Sequence, residues 1–128
     1  MPAITLLWTC LFALFAIVLG ALPGRMRTLK GISIGDGGEK DLLLAMRRQG
    51  NYLEMVPMAL ILMGLLELNG LGPVWLHGLA GTLFIARIAH AVGLDAERIN
   101  TFGRVFGAAV SGLVIVGMAV WGFVITLG

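Results

Sequence analysis

The stretch Arg47-Arg48-Gln49-Gly50-Asn51-Tyr52-Leu53-Glu54-Met55-Val56-Pro57 concentrates polar chemistry inside a long apolar segment. A helix turns about 100° per residue, so Arg47, Asn51 and Glu54, spaced i, i+4 and i+7, share one face. Gln49 lies about 200° from Arg47 and therefore faces a different neighbour. If the segment enters a membrane near Asp41, Glu54 sits about 20 Å along the helix axis. Polar groups at that depth are costly unless they satisfy one another or receive a ligand.

Other segments offer partners. Arg87 and His90 are i, i+3 neighbours on one helical face. Arg25 follows the first apolar segment, and Arg98 and Arg104 precede the last. Two readings compete. In one, Glu54 pairs with an arginine and the other cations reach up to lipid phosphates. In the other, the surplus of guanidinium groups holds the carboxylates of an anionic ligand, with Glu54 suited to an ammonium group. An amino acid or small peptide fits the second. No Ser-His-Asp or Cys-His set stands at these depths. His77 and His90 lie at opposite ends of one segment, so no metal site is expected. A lone membrane glutamate could also serve a small carrier.

These residues need a scaffold that carries them into a membrane. Of 128 residues, 59% are hydrophobic and 12% charged, more apolar surface than a soluble domain this small can hide. A net charge of +2, without a basic run interleaved with aromatics, argues against nucleic acid. The one cysteine, Cys10, excludes a disulfide framework within the chain. The pattern predicts one all-α domain over 1–128, an integral membrane four-helix bundle with helices at about 3–23, 41–69, 74–93 and 102–127. The first carries no preceding Lys or Arg and is read as a retained helix, stopped by Pro23-Gly24. Residues 25–40 and 95–104 form polar loops, and the Gly35-Asp36-Gly37-Gly38 cluster has turn chemistry without the surroundings of a phosphate-binding loop. Pro57 should kink the second helix. Gly103, Gly107 and Ser111 make a small-residue stripe that permits close helix approach, within or between chains. Every Lys and Arg lies in the loops or the helix ends beside them, which predicts cytoplasmic loops and both termini outside.

The pattern Arg47-x-Gln49-x-Asn51-x-x-Glu54-x-x-Pro57, followed by Ala86-Arg87-Ile88-Ala89-His90, resembles the MAPEG family, the membrane-associated proteins in eicosanoid and glutathione metabolism. The likeness covers essentially the whole chain and is to a bacterial-type member, placed in the inner membrane. It implies a homotrimer with glutathione bound between neighbouring subunits near the cytoplasmic side. Arg47, Asn51 and Glu54 match the residues that hold the γ-glutamyl end. Gln49 and Arg25 match those that serve the glycine carboxylate, and Arg87 and His90 help form the pocket. Arg104, with Arg98 as runner-up, matches the arginine that stabilises the glutathione thiolate for attack on a lipophilic substrate from the bilayer. Leu94 departs from the pattern, since several family enzymes carry a tyrosine there. The family includes a lipid-binding, non-catalytic member, so a scaffold role and a carrier role for Glu54 stay open beside a glutathione transferase or peroxidase.

Overall fold

The computed structural model describes residues 1–128 as four helices and no strands: α1 (Ala3–Lys30), α2 (Lys40–Leu68), α3 (Pro73–Gly93) and α4 (Phe102–Leu127). All four are long and apolar enough to cross a membrane. Large apolar side chains are exposed along each of them, from Leu14 and Ile17 to Phe123 and Val124. Such a surface is stable only against lipid. The chain is an integral membrane protein.

The first helix does not stop at Pro23-Gly24; it runs to Lys30 with Pro23 buried inside it. Proline removes one backbone hydrogen bond, whereas a helix end leaves up to four carbonyls without helical partners. Continuing the helix is the smaller cost in an apolar setting. Arg25, Arg27 and Lys30 are thus presented on a helix rather than in a loop. Gly31, with φ of 66°, ends α1 in the left-handed conformation as Ile32 N–H bonds to the Arg27 carbonyl at 3.0 Å. Residues 31–39 then return to α2, and Lys30 pairs with Glu39 at 2.5 Å and Asp41 at 3.2 Å. Pro57 is likewise carried within an unbroken α2.

Two hairpins, α1–α2 and α3–α4, form the closest pairings, and α2 also meets both α3 and α4. At the end away from the polar loops, Glu67 of α2 accepts from the backbone N–H of Ile4 (2.9 Å) and Thr5 (2.7 Å). A carboxylate there satisfies free N–H groups and meets the positive end of the α1 dipole. Nearby, the Trp8 indole donates to His77 Nδ1 at 3.1 Å. Mid-bundle, an aromatic cluster of Phe12, Phe15, Tyr52 and Phe84 fills the core, with Phe12 edge-on to Phe84 at 5.1 Å. The Tyr52 hydroxyl, buried there, donates to the Phe12 carbonyl at 2.6 Å.

The small-residue stripe of α4 is used within the chain. Gly103 and Gly107 lie against the α3 backbone, and a Cβ on Gly107 would fall 2.6 Å from both the backbone nitrogen and the Cβ of His90. Ser111 is fully buried on the same face. Gly107→Ala is therefore expected to force α3 and α4 apart at a cost of about 1–3 kcal/mol. Thermal unfolding in detergent should show a lowered midpoint. Gly117→Ala, where a Cβ meets nothing within 4 Å, should leave it unchanged.

Candidate functional site

At the polar-loop end, α2, the end of α3, the 94–101 loop and the start of α4 enclose a cavity of about 360 Å³. Lys40, Arg47 and Arg104 supply cations to its wall, and Asn51 and His90 supply further hydrogen-bonding groups. Leu43, Leu44 and Leu94 make an apolar side, and Asp95 is the one carboxylate. Each position follows from an element. Arg47 and Asn51 are one turn apart on α2, His90 closes the last turn of α3, and close packing of Gly103 and Gly107 brings Arg104 beside it.

Behind the wall lies Arg87, 1% exposed. Its Nη2 donates to Asn51 Oδ1 at 2.5 Å and to His90 Nδ1 at 3.4 Å, and its Nη1 donates to Ser111 Oγ at 3.4 Å. Its Nε is buried without a partner. No carboxylate lies within ion-pair distance of any arginine, because the salt bridges are those of Lys30. The reading in which Glu54 neutralises an arginine is not realised within the chain: Glu54 is exposed on the outer face of α2. Arg47, Asn51, His90 and Arg104 converge, Arg87 supports them from behind, and Glu54 stands one turn beyond Asn51, exposed at the surface of the chain.

Gln49 faces elsewhere, as its angular offset requires. It lines a second crevice, about 460 Å³, on the α1 side of α2 with Gly20, Gly24 and Arg27. Gly20 makes room: a Cβ there would come 3.0 Å from Gln49 Nε2. Arg27, not Arg25, lines this crevice, donating to the Ser33 carbonyl and to Met46 Sδ, both at 3.3 Å. Arg25 is exposed outside both spaces. Gly20, Gly24 and Arg27 are spaced i, i+4 and i+7, a shared face visible only if the helix is carried past Pro23.

Of the two arginines near α4, Arg104 reaches the cavity, while Arg98 is exposed in the loop and bonds through its backbone N–H to Asp95 Oδ1 at 2.8 Å. The N–H groups of Glu97 and Arg98 hold the Asp95 carboxyl below the usual carboxylate range. The loop is also tied by Thr101 to the Gly93 carbonyl and by Arg48, whose Nη2 donates to the Leu94 carbonyl at 2.9 Å. Arg48 reads from sequence as one more membrane-edge cation, and nothing in its spacing reveals this clamp.

The model of the MAPEG family matches residues 5–124. The chain belongs to the MAPEG family. Two similar proteins, each named Inner membrane protein YecN, come from Escherichia coli K12 and O6:H1. Each is 32% identical over 91 residues, 70% of this chain and 69% of the relative. No solved structure gives a significant match. The MAPEG match takes in the α2 motif, Arg87, His90 and Arg104, so the cavity is built from the part of the chain the family shares.

The Arg48 clamp can be checked apart from any ligand. Arg48→Ala should raise amide exchange across residues 94–101 and leave α1 unchanged, since its charge-assisted bond to Leu94 is lost. Equal exchange in the two proteins would mean the loop is held by Thr101 and Asp95 alone.

Proposed function

We propose that the protein is a glutathione-binding inner-membrane protein that activates the bound thiol against a lipophilic electrophile. The observation that carries this is the convergence of Arg47, Asn51, His90 and Arg104 on one cavity whose arginines have no carboxylate partner in the chain. A cavity of about 360 Å³ falls in the range of small-molecule sites, about 300–1,000 Å³. Unpaired guanidinium groups suit the carboxylates of a peptide, held bidentately.

Arg47 and Asn51 are assigned to the γ-glutamyl carboxylate, with Glu54, one turn on, to its ammonium group. Arg104 is assigned to the sulfur. A free thiol of pKa about 8.5 is mostly protonated at neutral pH, and a nearby guanidinium favours the thiolate. The thiolate then attacks the electrophilic centre, forming a C–S bond as the leaving group departs or a double bond takes the electron pair. Leu43 and Leu44 on the cavity wall suit an apolar substrate arriving from the bilayer. The E. coli proteins are named for the inner membrane, and the clustering of Lys and Arg around the two polar loops supports a cytoplasmic side for those loops.

The two spaces on α2 support a shared site between copies. The Arg47 cavity and the Gln49–Arg27 crevice open on different faces, and Glu54 is exposed on the outer face of α2. A homotrimer in which one copy's cavity meets the next copy's crevice lets one peptide use both, with Gln49 and Arg27 on its glycine carboxylate.

Two measurements test this reading. Arg47→Ala should weaken glutathione binding by calorimetry more than about tenfold, or 1.4 kcal/mol, and Arg27→Ala should weaken it although Arg27 lies across α2. Unchanged affinity in folded Arg27→Ala protein would contradict the shared site. Arg104→Ala should abolish the thiolate absorbance of the complex and lower turnover with a model electrophile far more than affinity. If glutathione binds without thiolate absorbance in the wild type, the protein is a binding member of the family and not a transferase.

A further inference from the structure

Asn51 and His90 line the cavity, yet both are hydrogen-bonded to Arg87, which does not. A guanidinium carries N–H donors and no acceptor. The atom of Asn51 that faces Arg87 Nη2 at 2.5 Å must therefore be the amide oxygen, and the facing His90 nitrogen, Nδ1 at 3.4 Å, must be unprotonated. A neutral imidazole then carries its proton on Nε2. Asn51 Nδ2 and His90 Nε2 have no partner within the protein, and neither is among its buried unpartnered atoms.

We propose that Arg87 is a positioning residue that makes the cavity select carboxylate-bearing ligands, by presenting the Asn51 amide nitrogen and the His90 Nε2–H as donors. This rests on the cavity being the ligand site and deepens it by saying how selectivity arises. With those two orientations fixed, the polar wall offers donors from Lys40, Arg47, Asn51, His90 and Arg104 against a single acceptor carboxylate, Asp95. The far end of the network is anchored too. Ser111 Oγ donates to the Gly107 carbonyl at 2.6 Å and so can only accept from Arg87 Nη1. Arg87 is buried with no carboxylate within ion-pair distance, so its charge is met inside the chain by the neutral acceptors Asn51, His90 and Ser111. Its forked geometry matters as well as its charge, because one lysine ammonium cannot reproduce the in-plane donors of a guanidinium.

The test is nitrogen NMR of ¹⁵N-histidine protein in detergent, in a His77→Gln background so that His90 is the one ring observed. Without ligand at neutral pH, Nδ1 should be unprotonated and Nε2 protonated. A proton on Nδ1 overturns the proposal, and this result requires no change at Arg87. Arg87→Gln should give mixed tautomers and at least about tenfold weaker glutathione binding. Unchanged tautomer or unchanged affinity in that variant overturns it. Arg87→Lys should also remain mixed, and full recovery by lysine would show that charge alone matters, which likewise overturns it. Wild-type protein with the expected tautomer, lost in Arg87→Gln, that takes up no glutathione would contradict the proposed ligand while upholding the positioning role.

Discussion

A guanidinium group buried in the bundle without a carboxylate partner is the constraint on which this structure turns. Arg87 is more deeply buried than any other charged side chain in the protein. Removing one such charge from water costs far more than any single hydrogen bond returns, so its surroundings must supply several. Asn51 from α2, His90 from its own helix and Ser111 from α4 do so. Three helices are thereby locked in register at one point, and the two groups that face the cavity are locked with them. A hydrophobic residue at this position would pack at lower cost. A charge at this position therefore adds nothing to packing, and its effect lies in the groups it orients.

The second constraint is backbone proximity. Gly103 and Gly107 leave no side chain between α3 and α4, so Arg104 and His90 share one wall. In a membrane, close approach through small residues is a main source of helix association, since apolar side chains gain little by leaving lipid. The same contact that holds the hairpin together therefore sets the site. Glu67 fixes the opposite end by closing the α1 N-terminus against α2. Between these two clamps the aromatic cluster around Phe12 and Tyr52 fills the middle.

Much of this was legible in the sequence because membrane helices announce themselves by unbroken apolar length. The expected helix at 102–127 coincides with α4, and the second and third fall within a residue of α2 and α3. The opposed directions of Arg47 and Gln49 followed from angular spacing and appear as two separate spaces. Pro23 misled because proline punctuation is calibrated where water can take up freed carbonyls. That misreading hid Arg27, which shares a face with Gly20 and Gly24 only if α1 continues. Arg48 was illegible for another reason, since its partner is a backbone carbonyl 46 residues away with no side-chain signal. The α4 stripe announced close packing but not its partner, which proved to be α3 of the same chain.

The proposed ligand joins the Arg47–Arg104 cavity of one copy to the Gln49–Arg27 crevice of another. An experimental structure of the protein with saturating glutathione tests this most directly. The predicted result is peptide density with its γ-glutamyl carboxylate at Arg47 and Asn51, its sulfur at Arg104, and its glycine carboxylate at Arg27 and Gln49 of an adjacent copy. Density confined to one protomer, or a cavity that remains free of peptide at saturation, would contradict it.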